Sequence, residues 1–171
     1  MPVDSVAIIF NYFATLQCNS AAACNKENPC ISFDYKRNGC NARAHWMRKL
    51  LAEQFGYDCQ KVFVEGSLVV INDGGCYPGC VNWGWHVAVY ILATGNDGKQ
   101  VGWVIDPSLF KAPCSMADWA AAQAKTCDGD TGQPRQPYLE PSYVYTPNGS
   151  TDDDYSSTKK LLYKFCKNCH H

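Results

Sequence analysis

Eleven cysteines in 171 residues constrain this chain more than any other feature. They stand at positions 18, 24, 30, 40, 59, 76, 80, 114, 127, 166 and 169. That density fits an oxidising compartment and a secreted fold stapled by disulfides. The count is odd, so at least one thiol is free or pairs outside the chain. Spacing alone does not give the pairing. The length suits one domain with a substantial core, so residues 1–171 read as a single domain. A net charge of −1 gives no electrostatic reason to bind nucleic acid or an anionic membrane. No apolar run is long enough to cross a bilayer. Residues 6–10 are too short for a signal-peptide core and lack a basic leader. The chain reads as a mature form without a pro-segment. Met1 then serves expression, and His170 and His171 match the remnant of a tag.

Cys40 is the thiol with a reason to stay free. It follows Gly39 and opens a run of good helix formers in which Ala44, Met47, Leu51 and Phe55 fall at helical spacing. Cys40 should therefore sit in the first turn of an amphipathic helix. Unpaired N–H groups and the positive end of the helix dipole favour a thiolate there. By position it is a nucleophile or one more disulfide partner, and both readings stand.

Around that helix the pattern predicts a mixed fold. Residues 6–16 carry a weak helical pattern, and residues 31–35 alternate like a short strand. Residues 56–58 stop the Cys40 helix. A β-branched strand covers 59–71. A glycine-rich loop follows, with Cys76 and Cys80 in disulfides and suited to pairing with each other. Residues 85–92 and 100–106 are the clearest strands, joined through a hairpin turn at 94–98. Residues 118–125 form a short helix. Residues 127–160 read as a surface excursion held down by Tyr138, Tyr143 and Tyr145, and 161–165 as a closing strand.

The hairpin makes a geometric prediction. Opposed positions in an antiparallel pair have a constant sum, and a turn centred on Asn96 sets it to 192. His86 then lies opposite Asp106 on one face, with Cβ atoms roughly 5 Å apart. An even-length loop would separate their faces, so the loop must be odd or bulged. An aspartate beside a histidine fixes its tautomer and stabilises the imidazolium. With Cys40, the pair makes a candidate site for acyl transfer.

Four segments carry a family resemblance. Gly39-Cys40-Asn41-Ala42-Arg43-Ala44-His45-Trp46-Met47-Arg48 is followed by Gly56-Tyr57-Asp58-Cys59, Trp83-Gly84-Trp85-His86-Val87-Ala88 and Ile105-Asp106-Pro107-Ser108-Leu109-Phe110. In order and spacing these resemble the secreted bacterial protein-glutaminases, from about residue 24 to the C-terminal cysteines. The resemblance implies an α+β fold with a papain-like and transglutaminase-like core, its catalytic helix packed on an antiparallel sheet. It implies Cys40 as nucleophile, His86 as general base and acid, and Asp106 as the group orienting His86. The reaction it implies is hydrolysis of protein- or peptide-bound glutamine to glutamate and ammonia through a thioester. No cofactor or metal is called for, and a monomer is expected. The Cys40 N–H is a candidate oxyanion donor. Trp83 and Trp85 are candidate walls of a glutamine slot, with Trp83 preferred, and Asn41 and Ser108 are further substrate-binding candidates. Family members are restrained by a pro-segment; a separate immunity-type partner is the other option.

Several signals are set aside. Cys166-Lys167-Asn168-Cys169-His170 matches a c-type haem attachment pattern, but a short tail offers no pocket, and disulfides explain it better. Zinc there is equally poor. His45 is read as a packing residue or one supporting the site from behind, and Asp152-Asp153-Asp154 as a solvated acidic loop. Asn148-Gly149-Ser150 fits a glycosylation acceptor in a eukaryotic host. The rival functions are a transglutaminase or cysteine peptidase using the same triad, a toxin included, and a secreted binding module without catalysis.

Overall fold

The computed structural model describes residues 1–170; the tag reading of His171 lies outside them. Helix α1 (Asp4–Ala14) leads into a 3-10 turn at Ala21–Ala23, and α2 spans Cys40–Phe55. Strands β1 (Gln60–Asn72), β2 (Gly79–Thr94) and β3 (Gln100–Ile105) follow. After α3 (Met116–Ala121) come four short strands: β4 (Thr126–Cys127), β5 (Asp130–Thr131), β6 (Gln133–Pro134) and β7 (Tyr138–Pro141). Helix α4 (Ser156–Cys169) closes the chain.

The main sheet is antiparallel, in the order β3-β2-β1, with β6 and β7 both on the outer edge of β1. Strand β2 is buried on both faces, so Val87, Ala88 and Val89 are buried in succession rather than alternately. One face packs Val89, Ile91 and Ile105 against α1, α2 and α4, through Phe10, Phe13, Trp46, Leu51 and Leu162. The other packs Val62, Val64, Ala88 and Val104 against Trp119 of α3. The α+β architecture, with the Cys40 helix on an antiparallel sheet, is the one expected.

Four expectations are corrected. Residues 31–35 form no strand; Ile31 makes one isolated bridge to Gln17. Residues 161–165 are helix: Thr158, Leu162, Phe165 and Cys166 form the buried stripe of α4. The 127–160 segment is more than a surface excursion. It supplies β7 to the sheet and buries Val144 and Tyr145, while Tyr143 stays exposed and anchors nothing. Asp152 is buried, and its carboxylate accepts from the N–H groups of Ser157 and Thr158 and the Thr158 hydroxyl, which caps α4.

Four disulfides join Cys18–Cys30, Cys24–Cys166, Cys76–Cys169 and Cys80–Cys127. Cys76 and Cys80 are therefore bonded, but not to each other. Cys166 and Cys169 are both taken, each by a different distant partner. The free thiols are Cys40, Cys59 and Cys114, the last two buried. The His170 ring bonds the Cys18 carbonyl at 3.0 Å, a structural contact.

Candidate active site

Gly39 sets up the turn that presents Cys40. Its φ of 87° is left-handed, and a Cβ there would stand 2.2 Å from the ring of Phe165. Only glycine meets both demands. Cys40 is the first residue of α2. The first half of the helix behind it is enclosed on all sides, with Ala42, Arg43, Ala44, His45, Trp46 and Met47 all buried, while Ala52, Glu53 and Gln54 in the second half are exposed.

His86 comes from β2 and Asp106 from just beyond β3. The β2–β3 ladder pairs Val89 with Ile105 and Thr94 with Gln100. The sum of opposed positions is therefore 194, and the turn centres on Asp97, not Asn96. The loop is odd in length, as expected. Asp106 extends that register opposite Ala88, so His86 is its diagonal neighbour on the same face rather than its direct partner. The side chains still meet: His86 Nε2 lies 2.8 Å from Asp106 Oδ2, and both residues are buried.

Asp106 is pinned from several directions. Trp119 Nε1–H donates to Oδ2 at 2.9 Å, Ser108 N–H donates to Oδ1 at 3.1 Å, and the Ser108 hydroxyl also donates to Oδ1. Burial opposes its ionisation, but His86, Ser108 and Trp119 overcome that and hold its pKa at about 2. Burial likewise opposes charge on His86, yet Asp106 and Cys40 raise its pKa to about 9. At Cys40, burial opposes the thiolate, and the His86 ring, the Arg43 guanidinium and the Val87 N–H outweigh it, leaving the thiol below its ordinary value. His86 Nδ1 has no hydrogen-bond partner among the described residues and is the nitrogen left to serve the thiol. The His86 ring and the Arg43 guanidinium thus both bias Cys40 toward the thiolate, beside a histidine biased toward the imidazolium.

The thiol opens into a cleft of about 230 Å³ whose walls include Arg37, Asn38, Trp83, Gly84 and Trp85. Both tryptophans reach it, by different routes. In the β1–β2 ladder Glu65 faces Trp85 but Leu68 faces Trp83, so Gly66 and Ser67 stand against Gly84 alone. That bulge re-aims the strand. Trp83 consequently stacks on the His86 ring at 4.4 Å and 10°, although strict alternation would send it to the other face. Its Nε1–H donates to the Lys36 carbonyl at 2.8 Å and fastens the loop before Cys40. Trp85 packs on the opposite side with Phe63, Cys40 and Ala44. Two candidates for substrate contact are placed elsewhere. Ser108 is buried and its hydroxyl is engaged with Asp106. Asn41 is half-buried in the first turn of α2 and is not part of the cleft wall.

Two residues at the site escaped the sequence reading. Arg43 is 3% exposed, and its guanidinium donates to the carbonyls of Tyr35 and Asn38 at 2.8 and 2.9 Å. It pins the loop ahead of Cys40 while favouring the thiolate. Its place one turn after Cys40 was the available signal. Trp119 stacks on the other side of His86, 5.5 Å away, and no local pattern announced it. His45 is fully buried, with Nε2 bonded to the Asp152 carbonyl and Nδ1 to Lys61.

A family model described as glutaminase matches residues 6–123. A crystal structure of protein-glutaminase is 32% identical over 97% of this chain and 88% of its own, with a TM-score of 0.83. The NMR structure of protein-glutaminase from Chryseobacterium proteolyticum is 33% identical, over 96% of this chain and 86% of its own, with a TM-score of 0.80. A crystal structure of pro-protein-glutaminase is 32% identical over 98% of this chain, with a TM-score of 0.83, and this chain spans 58% of it. No curated protein sequence matches.

Proposed function

Because this chain belongs to the glutaminase family, we propose that it deamidates glutamine side chains in proteins and peptides, with Cys40, His86 and Asp106 as its catalytic triad. One observation carries the reading: a free thiol at a helix start opens to a cleft beside a buried histidine–aspartate pair 2.8 Å apart. The Cys40 thiolate attacks the carboxamide carbon. The resulting oxyanion is held by the Cys40 N–H, which has no backbone acceptor among the described residues. The imidazolium of His86 protonates the departing ammonia and leaves a thioester. Neutral His86 then takes a proton from water as the water attacks, and the collapse of that intermediate returns the thiolate and releases glutamate. Asp106 keeps the ring oriented throughout. Trp83 and Trp85 shape the slot for the glutamine methylenes.

Four disulfides and the protein-glutaminase neighbours support secretion as the setting. No described helix is long and apolar enough to cross a membrane. The neighbour solved as a pro-form favours a pro-segment as the means of restraint over a separate inhibitor.

Incubation with a glutamine-rich protein should release ammonia and add about 1 Da per converted residue, on Gln and not on Asn. Cys40→Ala should abolish both while leaving the fold intact. Cross-linking with loss of ammonia, or chain cleavage, in place of conversion to glutamate would instead favour the transglutaminase or peptidase reading.

A further inference from the structure

The walls of the Cys40 cleft carry three cations, Lys36, Arg37 and Arg43, and no carboxylate. The chain's net charge is −1, so the excess is local. Arg43 is committed to the loop beneath the thiol, as described above. The other two form the lip. Arg37 is exposed, with its guanidinium carbon 4.4 Å above the ring centre of Tyr77, which directs the charge without neutralising it. Lys36 is half-buried and donates to Asn72 Oδ1 at 3.0 Å. The carboxylates acting on it are Asp73, Asp34 and Asp106, yet neither Lys36 nor Arg37 is in a salt bridge among the described residues.

We propose that this basic lip binds the stretch of substrate next to the glutamine and selects an acidic residue beside it. The proposal rests on the deamidase reading. A carboxylate one residue from the glutamine would come close to Arg37 and Lys36 once the carboxamide reaches Cys40. Low-dielectric walls such as Trp83 and Trp85 weaken solvent screening there and focus the field. A guanidinium already held in place can grip a carboxylate through two N–H groups. A lysine beside the glutamine meets the same field as repulsion.

Three blocked peptides differing only in Glu, Ala or Lys beside one glutamine test this through ammonia release. The expected order of kcat/KM is Glu above Ala above Lys, with about tenfold between the extremes at low salt, shrinking toward unity in about 0.5 M salt. In Arg37→Glu the Glu-to-Lys ratio should fall several-fold or invert. A second readout does not depend on turnover. Alkylation of Cys40 by iodoacetate relative to iodoacetamide should also fall several-fold in Arg37→Glu. Equal rates for the Glu and Lys peptides, or ratios unmoved by Arg37→Glu in both assays, would overturn the proposal and leave the deamidase reading standing. No ammonia from any peptide, the alanine one included, would overturn both.

Discussion

The Asp106 carboxylate is bound at both oxygens, by His86 and Trp119 on Oδ2 and by Ser108 on Oδ1. A carboxylate so held cannot swing away from the histidine, and its charge is what keeps the imidazolium protonated up to about 9. Two predictions follow from that geometry. The first concerns pH. Acylation needs His86 protonated when ammonia leaves, so kcat/KM, which reports the free enzyme through that step, should hold up to about pH 9 and fall above it. In Asp106→Asn the raising influence is gone, so the alkaline limb should move down toward the ordinary histidine range. The rate should drop by about 10⁴, as in the serine-protease triad when it loses this charge. A pH–rate profile unchanged by Asp106→Asn would contradict the orienting role. The second concerns Trp119, which does not line the cleft but donates to Oδ2. Trp119→Phe keeps the aromatic surface and removes the N–H. One hydrogen bond to a charged group corresponds to roughly a tenfold loss. It should appear in kcat, with KM unchanged; a loss in KM alone would mean the indole shapes the slot instead. The juxtaposition of His86 and Asp106 was legible because each sat in a segment with its own strong pattern. Trp119 and Arg43 were not. A tryptophan in a short alanine-rich helix says nothing of where its N–H points, and an arginine among helix formers reads as a solvated side chain.

Among the elements, α4 does the least expected work. Its Phe165 lies where a Gly39 Cβ would go and stacks on Tyr35 at 4.4 Å, so the last helix buttresses the turn that presents Cys40. Residues 161–165 looked like a strand because a five-residue window cannot distinguish period 2 from period 3.6. Widening it to include Thr158 and Cys166 exposes the helical stripe. The hairpin shows a different limit. Moving its centre by one residue, from Asn96 to Asp97, shifts the register by two and preserves parity, so the meeting of His86 and Asp106 survived the error. The bulge at Gly66 and Ser67 could not be foreseen, because it arises from pairing with a partner strand. Gly39→Ala provides the test at this scale. It adds left-handed strain of about 1–3 kcal/mol and a clash with Phe165. The melting temperature should fall, and activity should fall further than stability alone explains, since the Cys40 turn is displaced. Gly39→Ala with Phe165→Leu should recover part of the stability, the clash, while the strain remains. Equal stability of Gly39→Ala and wild type would show that α4 does not constrain the turn.

Across the whole molecule, long-range closure decides what local pattern could not. The Cys24–Cys166 and Cys76–Cys169 bridges span 142 and 93 positions and tie α4 to the early loop and to the β1–β2 connection. No spacing rule predicts such pairs, because proximity exists only after the sheet and helices have packed. The same closure buries a charge. Lys61, on β1, is 0% exposed, and its Nζ lies 2.8 Å from His45 Nδ1 and 2.7 Å from the Val144 carbonyl. Neither contact is anionic. Burial therefore lowers the Lys61 pKa to about 7, and burial with the Lys61 charge lowers that of His45 to about 4. A neutral His45 accepts at Nδ1 and donates its Nε2–H to the Asp152 carbonyl at 3.0 Å. The folded pKa of Lys61 lies below the 10.5 of the unfolded chain. Between those values the unfolded state holds a proton that the folded state lacks, so this residue makes stability rise with pH from about 7 to about 10.5. His86 acts in the opposite sense. Its pKa is raised from 6.5 to about 9, so its contribution is complete below 6.5 and is lost as pH rises through 9. The Lys61 part is isolated by comparison with Lys61→Met, in which His86 is unchanged and His45 stays neutral throughout this range. Denaturant midpoints for the two proteins should diverge steadily from pH 7 to pH 10, with the wild type gaining on the variant. A difference constant across that range would mean that Lys61 keeps its proton in the folded protein and that a neutral hydrogen bond to His45 is not what closes this side of the core.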